Sequence, residues 1–299
     1  MRSHTPRLLA SLFLLAALGP LSARAAPKAP YSLPWQLRPT AAVSVVRSET
    51  SLAFSSTEAT GDSVTTATLL LASYKLTPHL APLVRVGYVD HAPGTGHPGA
   101  ALVNPVLGAI YSHDLSETLR LGVFLGVTLP VGMGGGNTPE PATLTAARAG
   151  VPARSAMDNA MFAVNDFTVF PGVGLSYVAG GFTAQVEATV LQLTRVRGEA
   201  VQTDRSRTNF TSGLHLGYFL HPAVSLGGEL RYQRWMSTPS TVTSEELRDT
   251  LTVAAGPRFH FKLSDTVVVR PGLSYTFALD APMKTANYSV FQLDVPVLF

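Results

Sequence analysis

The chain has 299 residues, of which 46% are hydrophobic and only 14% charged, well below the roughly 25% charged usual for soluble domains. It has no cysteine, which excludes disulfides, thiolate metal sites and a lipoprotein anchor. The 22 Lys and Arg against 19 Asp and Glu give a net charge of +3, but Arg2, Arg7 and Arg24 fall in an N-terminal leader, so the mature chain is expected to be neutral and nothing in its charge points to nucleic acid.

Residues 1–25 read as a secretory signal peptide. Arg2 and Arg7 form a positive n-region, Leu8 to Leu18 an apolar h-region, and Ala23-Arg24-Ala25 a small-x-small cleavage site. The apolar run is too short for the ~20 residues that a spanning helix needs. Residues 26–38 are expected to form a periplasmic N-terminal segment, with no plug of the fatty-acid-transporter kind evident between Ala26 and Pro39. Residues 39–299 are assigned to a single domain.

Beyond the leader no apolar run is long enough for a membrane helix, so the greasy surface must be distributed by alternation. Strands are expected near 40–55 and 63–77, with weaker alternation than those that follow. Leu119, Leu121, Val123, Leu125, Val127 and Leu129 share one face, against Arg120, Gly122, Gly126 and Thr128 on the other. Leu251, Val253, Ala255, Pro257, Phe259 and Phe261 do so later, against Thr252, Gly256, Arg258, His260 and Lys262. Val267, Val269, Leu273, Tyr275 and Phe277 follow, against Arg270, Gly272, Ser274 and Thr276. The C-terminus, Phe291-Gln-Leu-Asp-Val-Pro-Val-Leu-Phe299, alternates in the same way. It resembles the terminal strand of bacterial outer-membrane barrels, whose last aromatic residue, here Phe299, is read by the barrel assembly machinery.

Tight turns are expected at Thr77 to Leu80, His113 to Glu117, Ala179 to Gly181, His221 to Ala223 and Leu263 to Asp265. Longer loops are expected near 55–63, 90–99, 131–164, 197–207, 237–247 and 280–287. Alternating short and long connections imply an even number of strands, about twelve, with both termini in the periplasm. The fold class is therefore all-β: a single transmembrane antiparallel up-and-down β-barrel in the outer membrane, in contact with lipid. A soluble β-sandwich would also alternate, but the outward residues here are continuously apolar. Tyr74, Tyr88, Tyr111, Tyr177, Tyr218, Tyr232 and Tyr275 recur near strand ends, as interfacial girdles do. The insertion 131–164 opens with a glycine-rich run and has Ser155 to Phe162 as a short helical stretch. Its apolar members Met133, Leu144, Met157, Met161 and Phe162 suit packing into the barrel mouth.

Enzyme motifs are absent: there is no H-E-x-x-H, G-x-S-x-G or P-loop. Asp90-His91 at an outer loop resembles half of a rim dyad, but adjacent strand residues point apart. No cofactor is implied, and the protein is read as a non-enzyme. The informative constellation faces inward: Arg85, Glu187, His215, Glu229, Arg258, Arg270 and Asp294, three arginines against three carboxylates with a histidine. Such charges demand water or mutual pairing, since desolvation costs several kcal/mol per ion. They are assigned as a lumen layer that either seals the barrel or filters solutes. Inward glycines at 108, 122, 126, 172, 174, 213, 217, 227, 256 and 272 suggest open volume beside it.

Asn104-Pro-Val-Leu-Gly-Ala-Ile-Tyr111, followed by Leu121-Gly-Val-Phe-Leu-Gly-Val-Thr-Leu-Pro130-Val-Gly132, resembles the outer-membrane proteins grouped under the MetA-pathway of phenol degradation. The motif-level likeness covers 104–132. It implies a membrane barrel that moves small, hydrophobic or aromatic compounds. The expected function is thus a passive channel or transporter for a small-molecule solute. The alternative is a non-conducting structural or surface-binding barrel.

Overall fold

A computed structural model of the protein describes residues 30–58 and 61–299. The signal peptide and its cleavage site lie outside the described residues. The chain forms β1 (Val45–Thr57), β2 (Gly61–Ser73), β3 (Leu80–Ala92), β4 (Gly99–Leu102), β5 (Val106–Asp114) and β6 (Leu119–Thr128). It continues through β7 (Asp166–Ala179), β8 (Phe182–Arg195), β9 (Ser206–His221) and β10 (Val224–Trp235). The wall ends with β11 (Asp249–Phe259), β12 (Phe261–Lys262), β13 (Val268–Val269), β14 (Gly272–Ala278) and β15 (Ser289–Leu298).

Three of the staves are interrupted. β4 and β5 both pair with β3, β11 and β12 run on across His260, and β13 and β14 both pair with β15. Counting each interrupted stave once gives twelve antiparallel strands, as expected. β1 pairs with β15 from Val45 opposite Leu298 to Phe54 opposite Ser289, so the sheet closes on itself. Closure satisfies every ladder without a free edge, the condition for a sheet in lipid. Proline marks two of the breaks, at Pro105 and Pro271, because it has no N–H to give the ladder.

The phasing read from the sequence holds. Val123 is 45% and Leu273 52% exposed on the outer surface, while Gly122, Thr128, Arg258, Ser274 and Asp294 are buried inside. A belt of Leu70, Val86, Leu107, Leu125, Val173, Val186, Leu216 and Phe291 continues this apolar exterior. This is an outer-membrane β-barrel: water would not tolerate so large a greasy surface, and lipid requires it. Tyr111, Tyr177 and Tyr218 sit beside Leu80, Leu119 and Phe182 at the short-turn end, as a girdle does.

The five short turns fall where expected. The first two strands differ from expectation. β1 begins at Val45 rather than near residue 40, and β1 and β2 run to Thr57 and from Gly61, into the span expected as the first outer loop.

Two bodies fill the barrel. From the periplasmic end, residues 31–40 enter the lumen as an irregular segment, so the expectation that no plug is formed here is corrected. Trp35 is 1% and Leu37 0% exposed. From the outer end, the β6–β7 loop folds inward as α1 (Pro141–Ala153) and α2 (Asn159–Phe162).

Helix α1 was not expected from the sequence, although its signals are local. Glu140 caps it, accepting hydrogen bonds from the N–H groups of Ala142 (3.0 Å) and Thr143 (2.5 Å), and Pro141 occupies the first turn. The expected helical stretch from Ser155 is reduced to the single turn α2. Ser155 and Ala156 both adopt positive φ (52° and 55°), reversing the chain between the two helices. Such conformations cost on the order of 1–3 kcal/mol each in non-glycine residues, and the anchors on either side offset that cost. Helix α2 and the end of α1 pack Ala153, Ala160, Met161 and Phe162 against inward Leu69, Val103, Val106, Phe124, Phe170, Leu191 and Leu193. The outer half of the bore is therefore an apolar core.

Candidate functional site

The N-terminal segment has no regular structure, so its backbone groups have no partners of their own, and a buried unpaired N–H or C=O is costly. The wall supplies the partners. Glu229 accepts from the N–H groups of Trp35 and Gln36, and Glu187 accepts from the N–H of Arg38 at 2.6 Å. Thr183 accepts from the N–H of Ser32 at 3.0 Å. The wall arginines take the carbonyls. Arg47 donates to Pro34 (2.8 Å) and Trp35 (2.5 Å), Arg258 to Leu33 (3.1 Å), and Arg270 to Tyr31 (3.2 Å). Gln185 Nε2 donates to the Arg38 carbonyl at 2.7 Å. The inward charges are thus a template that reads main chain as well as one another.

Six of the inward glycines, at 122, 174, 213, 217, 227 and 272, make room for this segment, and those at 108, 126, 172 and 256 face neighbouring wall groups, which corrects their reading as open volume. A Cβ at Gly122 would stand 2.9 Å from Thr40 Cα, and one at Gly272 would stand 2.9 Å from Trp35 Nε1. Gly213 faces Leu37, and Gly217 faces Ser32. Thr40 also shares a hydrogen bond of 2.6 Å with Ser176.

The charges form a connected chain across the lumen. Arg258 donates to Asp294 (2.5 Å), Asp294 accepts from Arg47 (2.6 Å), and Arg47 reaches Glu49 (3.1 Å). Glu49 is shared by Arg85 and Arg154 (2.5 Å each), and both arginines bind Asp158 of the inward loop (2.6 and 2.9 Å). Burial alone would raise the Asp158 carboxyl, but Arg85 and Arg154 outweigh it and hold it well below the usual carboxylate range. Arg231 pairs with Glu229 at 2.7 Å, and Glu187 pairs with Arg38 at 3.3 Å.

Of the seven residues expected to share one layer, the structure joins Arg258 to Asp294 directly, and Arg85 to them through Glu49 and Arg47. His215 stands opposite Glu229 in the ladder, with its Nδ1 3.7 Å from that carboxylate and its ring edge-on to Trp35. Glu187 touches none of the others, and Arg270 meets Arg258 through its main-chain carbonyl, which accepts from Arg258 Nη1 at 2.6 Å, while both side chains serve the N-terminal segment. Sequence reasoning missed Arg38, Arg47, Glu49, Arg154, Asp158 and Arg231. Arg231 lies two positions from Glu229 on the same face, and Arg47 and Glu49 alternate inward on β1, so the period of two could have found those three. Arg38, Arg154 and Asp158 belong to no strand, and no periodicity marks them. The rim residues Asp90 and His91 point to opposite faces: His91 Nδ1 meets Thr65 Oγ1 at 2.9 Å, and Asp90 accepts from Tyr88 at 3.1 Å.

Two contiguous cavities remain between the fillers and the wall. The lower one, about 70 Å³, opens among Val45, Ser73 and Leu298 at the periplasmic end. The upper one, about 40 Å³, ends under Met157, Asp158 and Met161 of the inward loop. Both are lined by Arg38, Leu71, Leu83 and Phe124, with the Arg38 guanidinium 4.6 Å above the Phe124 ring. Leu71 of β2, Leu83 of β3 and Phe124 of β6 line both, and the charge chain borders them at Arg47, Arg85 and Asp158.

Comparison with known proteins places the fold. The chain is similar to the COG4313 outer membrane channel from Pseudomonas putida F1, at 14% identity over 89% of this chain and 98% of that one, with a TM-score of 0.52. It is also similar to KdgM porin in complex with disordered oligogalacturonate, at 8% identity over 85% and 99%, with a TM-score of 0.50. At these identities the likeness establishes the outer-membrane barrel fold. No family model matches the chain, and no curated protein matches it. The likeness of 104–132 to the phenol-degradation proteins therefore has no family match beside it, and the neighbours support the coarser assignment to outer-membrane barrels. Asn104 in that motif has a structural role: its Oδ1 accepts from Gly132 N–H (2.9 Å) and its Nδ2 donates to the Ala163 carbonyl (2.8 Å), tying the inward loop to the wall.

Proposed function

We propose that the protein is a channel for small solutes, apolar or aromatic in character, that cross the outer membrane along the passage beside Arg38. The single observation that carries this reading is the pair of contiguous cavities sharing Arg38, Leu71, Leu83 and Phe124. Their walls are apolar except at Arg38, Arg47, Ser73, Arg85 and Asp158, which suits a greasy solute better than a strongly hydrated one. At 70 and 40 Å³ they hold waters but fall short of the roughly 150 Å³ cavity that accommodates benzene. Passage therefore requires Arg38 or the loop around Asp158 to move. In this reading the charge layer of Arg85, Glu187, His215, Glu229, Arg258, Arg270 and Asp294 sets the preference by holding the N-terminal segment in place, and the loop 131–164 gates the mouth. The neighbouring channels share the fold that such a role needs.

Planar-bilayer recordings and liposome swelling test this. Wild type should show small conductance, Arg38→Ala a larger one, and Leu83→Trp less than either. If wild type and Arg38→Ala neither conduct nor admit solute, the transport reading fails. The filled lumen favours a second reading, a non-conducting barrel stiffened by its charge chain, and that outcome would support it.

A further inference from the structure

The outer mouth holds a cavity separate from the passage and sharing none of its lining residues. Its volume is about 400 Å³, within the roughly 300–1,000 Å³ typical of small-molecule sites. It lies, partly open to solvent, where residues of the β6–β7, β8–β9 and β10–β11 loops converge. Phe162 and Leu193, both buried members of the apolar core, form part of its lining. Trp235 lines it as well, with the Arg207 guanidinium 5.6 Å from its ring centre.

The charges around this apolar bed are unequal. Arg207 is committed to Asp166. Asp204 is engaged by Ser240, accepting from its N–H and its hydroxyl at 2.9 Å each. Arg148 on α1 also lines the cavity and, among the described residues, its guanidinium makes no hydrogen bond or ion pair. An unengaged guanidinium beside an aromatic and aliphatic bed presents a planar fork of donors that matches a carboxylate.

The geometry points to a binding site at the outer mouth for a small amphipathic monocarboxylate, its carboxylate on Arg148 and its apolar or aromatic body against Phe162, Leu193 and Trp235. The site needs no open lumen and stands whether or not the barrel conducts. Phenylacetate and its neutral analogue phenylethanol share a ring and a linker and differ in the charge, so they separate recognition by Arg148 from simple greasy partition.

The test is calorimetric titration of the full barrel in lipid nanodiscs with both compounds, followed by tryptophan fluorescence. Phenylacetate should bind more tightly than phenylethanol. Arg148→Ala should weaken phenylacetate about tenfold, as expected on losing one charge-assisted hydrogen bond, and leave phenylethanol unchanged, while Arg148→Lys recovers part of the loss. Quenching by phenylacetate should vanish in Trp235→Phe, which leaves Trp35 as the remaining tryptophan. Arg148 is exposed, so its variants should retain the folded-barrel mobility on unheated gels. Equal binding of acid and alcohol, or an unchanged affinity in Arg148→Ala, would overturn the assignment.

Discussion

The two bodies that fill this barrel meet the wall by different chemistry, although ion pairs tie both to it. The inward loop carries two helices that satisfy their own backbone, and it presents Ala160, Met161 and Phe162 to an apolar wall, with Arg154 and Asp158 as its charged anchors to Glu49 and Arg85. The N-terminal segment is irregular, so each buried N–H and C=O must find a partner outside it, and the wall there carries Glu187, Glu229, Arg47, Arg258 and Arg270. A filler that pairs its own main chain can rest on hydrocarbon, whereas one that does not requires charges. The charged layer of a barrel therefore need not be a solvated filter; here much of it is a docking surface for extended chain.

The contrast can be broken most directly by removing the irregular filler. Deletion of residues 31–38 should raise single-channel conductance several-fold and leave Glu229, Glu187 and Arg258 facing water, while the inward loop stays in place. Unchanged conductance would mean that the loop alone closes the bore.

Next in size is the charge that anchors the arginines holding the N-terminal segment. Asp294→Asn strips Arg47 and Arg258 of their shared carboxylate, and breaking a buried pair in this way costs about 3–5 kcal/mol. A clear loss of stability in urea refolding, with little change at the apolar core, is expected. Stability equal to wild type would show that the pairing is dispensable.

Steric expulsion should be milder. In Gly122→Val the new Cβ meets Thr40 Cα at 2.9 Å, so the segment must shift, and a cysteine placed at Ser32 should become more reactive to a bulky maleimide. No gain in labelling would mean that the wall yields instead.

The smallest effect concerns the loop. Asp158→Asn leaves Arg85 and Arg154 with Glu49 as a shared partner, so more frequent current fluctuations are expected without loss of the fold. Because the Asp158 carboxyl is held below its ordinary value, its contribution is complete above the ordinary aspartate value near ~4 and is lost as pH falls through its folded-state value. Acidification should therefore reproduce the Asp158→Asn fluctuations in wild type only far below the ordinary aspartate range, where the folded-state carboxyl takes up its proton, and leave the variant unmoved.

Much of the architecture was legible because a strand announces itself locally. Alternation in Leu119 to Leu129 and Phe291 to Phe299 fixed which face meets lipid, and the short turns fixed the strand count and the direction of each loop. On the same footing Arg258, Asp294, Glu229 and His215 could be read as inward, and Arg231, Arg47 and Glu49 were within reach of the same rule. Helix α1 was obscured by its glycine-rich approach and internal proline, although Glu140-Pro141 is a readable start.

What fills the bore could not be read in this way. Residues 31–40 carry no period, since their partners come from strands as distant in sequence as β8, β10, β11 and β15, and the glycines that cradle them look the same as glycines that leave empty space. The sequence by itself determined a closed sheet, its greasy exterior and its inward charges, because those follow from a repeat of two along each strand. Only the tertiary structure decided that these charges hold a main chain rather than a column of water, because an irregular backbone can be satisfied only by groups that folding brings to it.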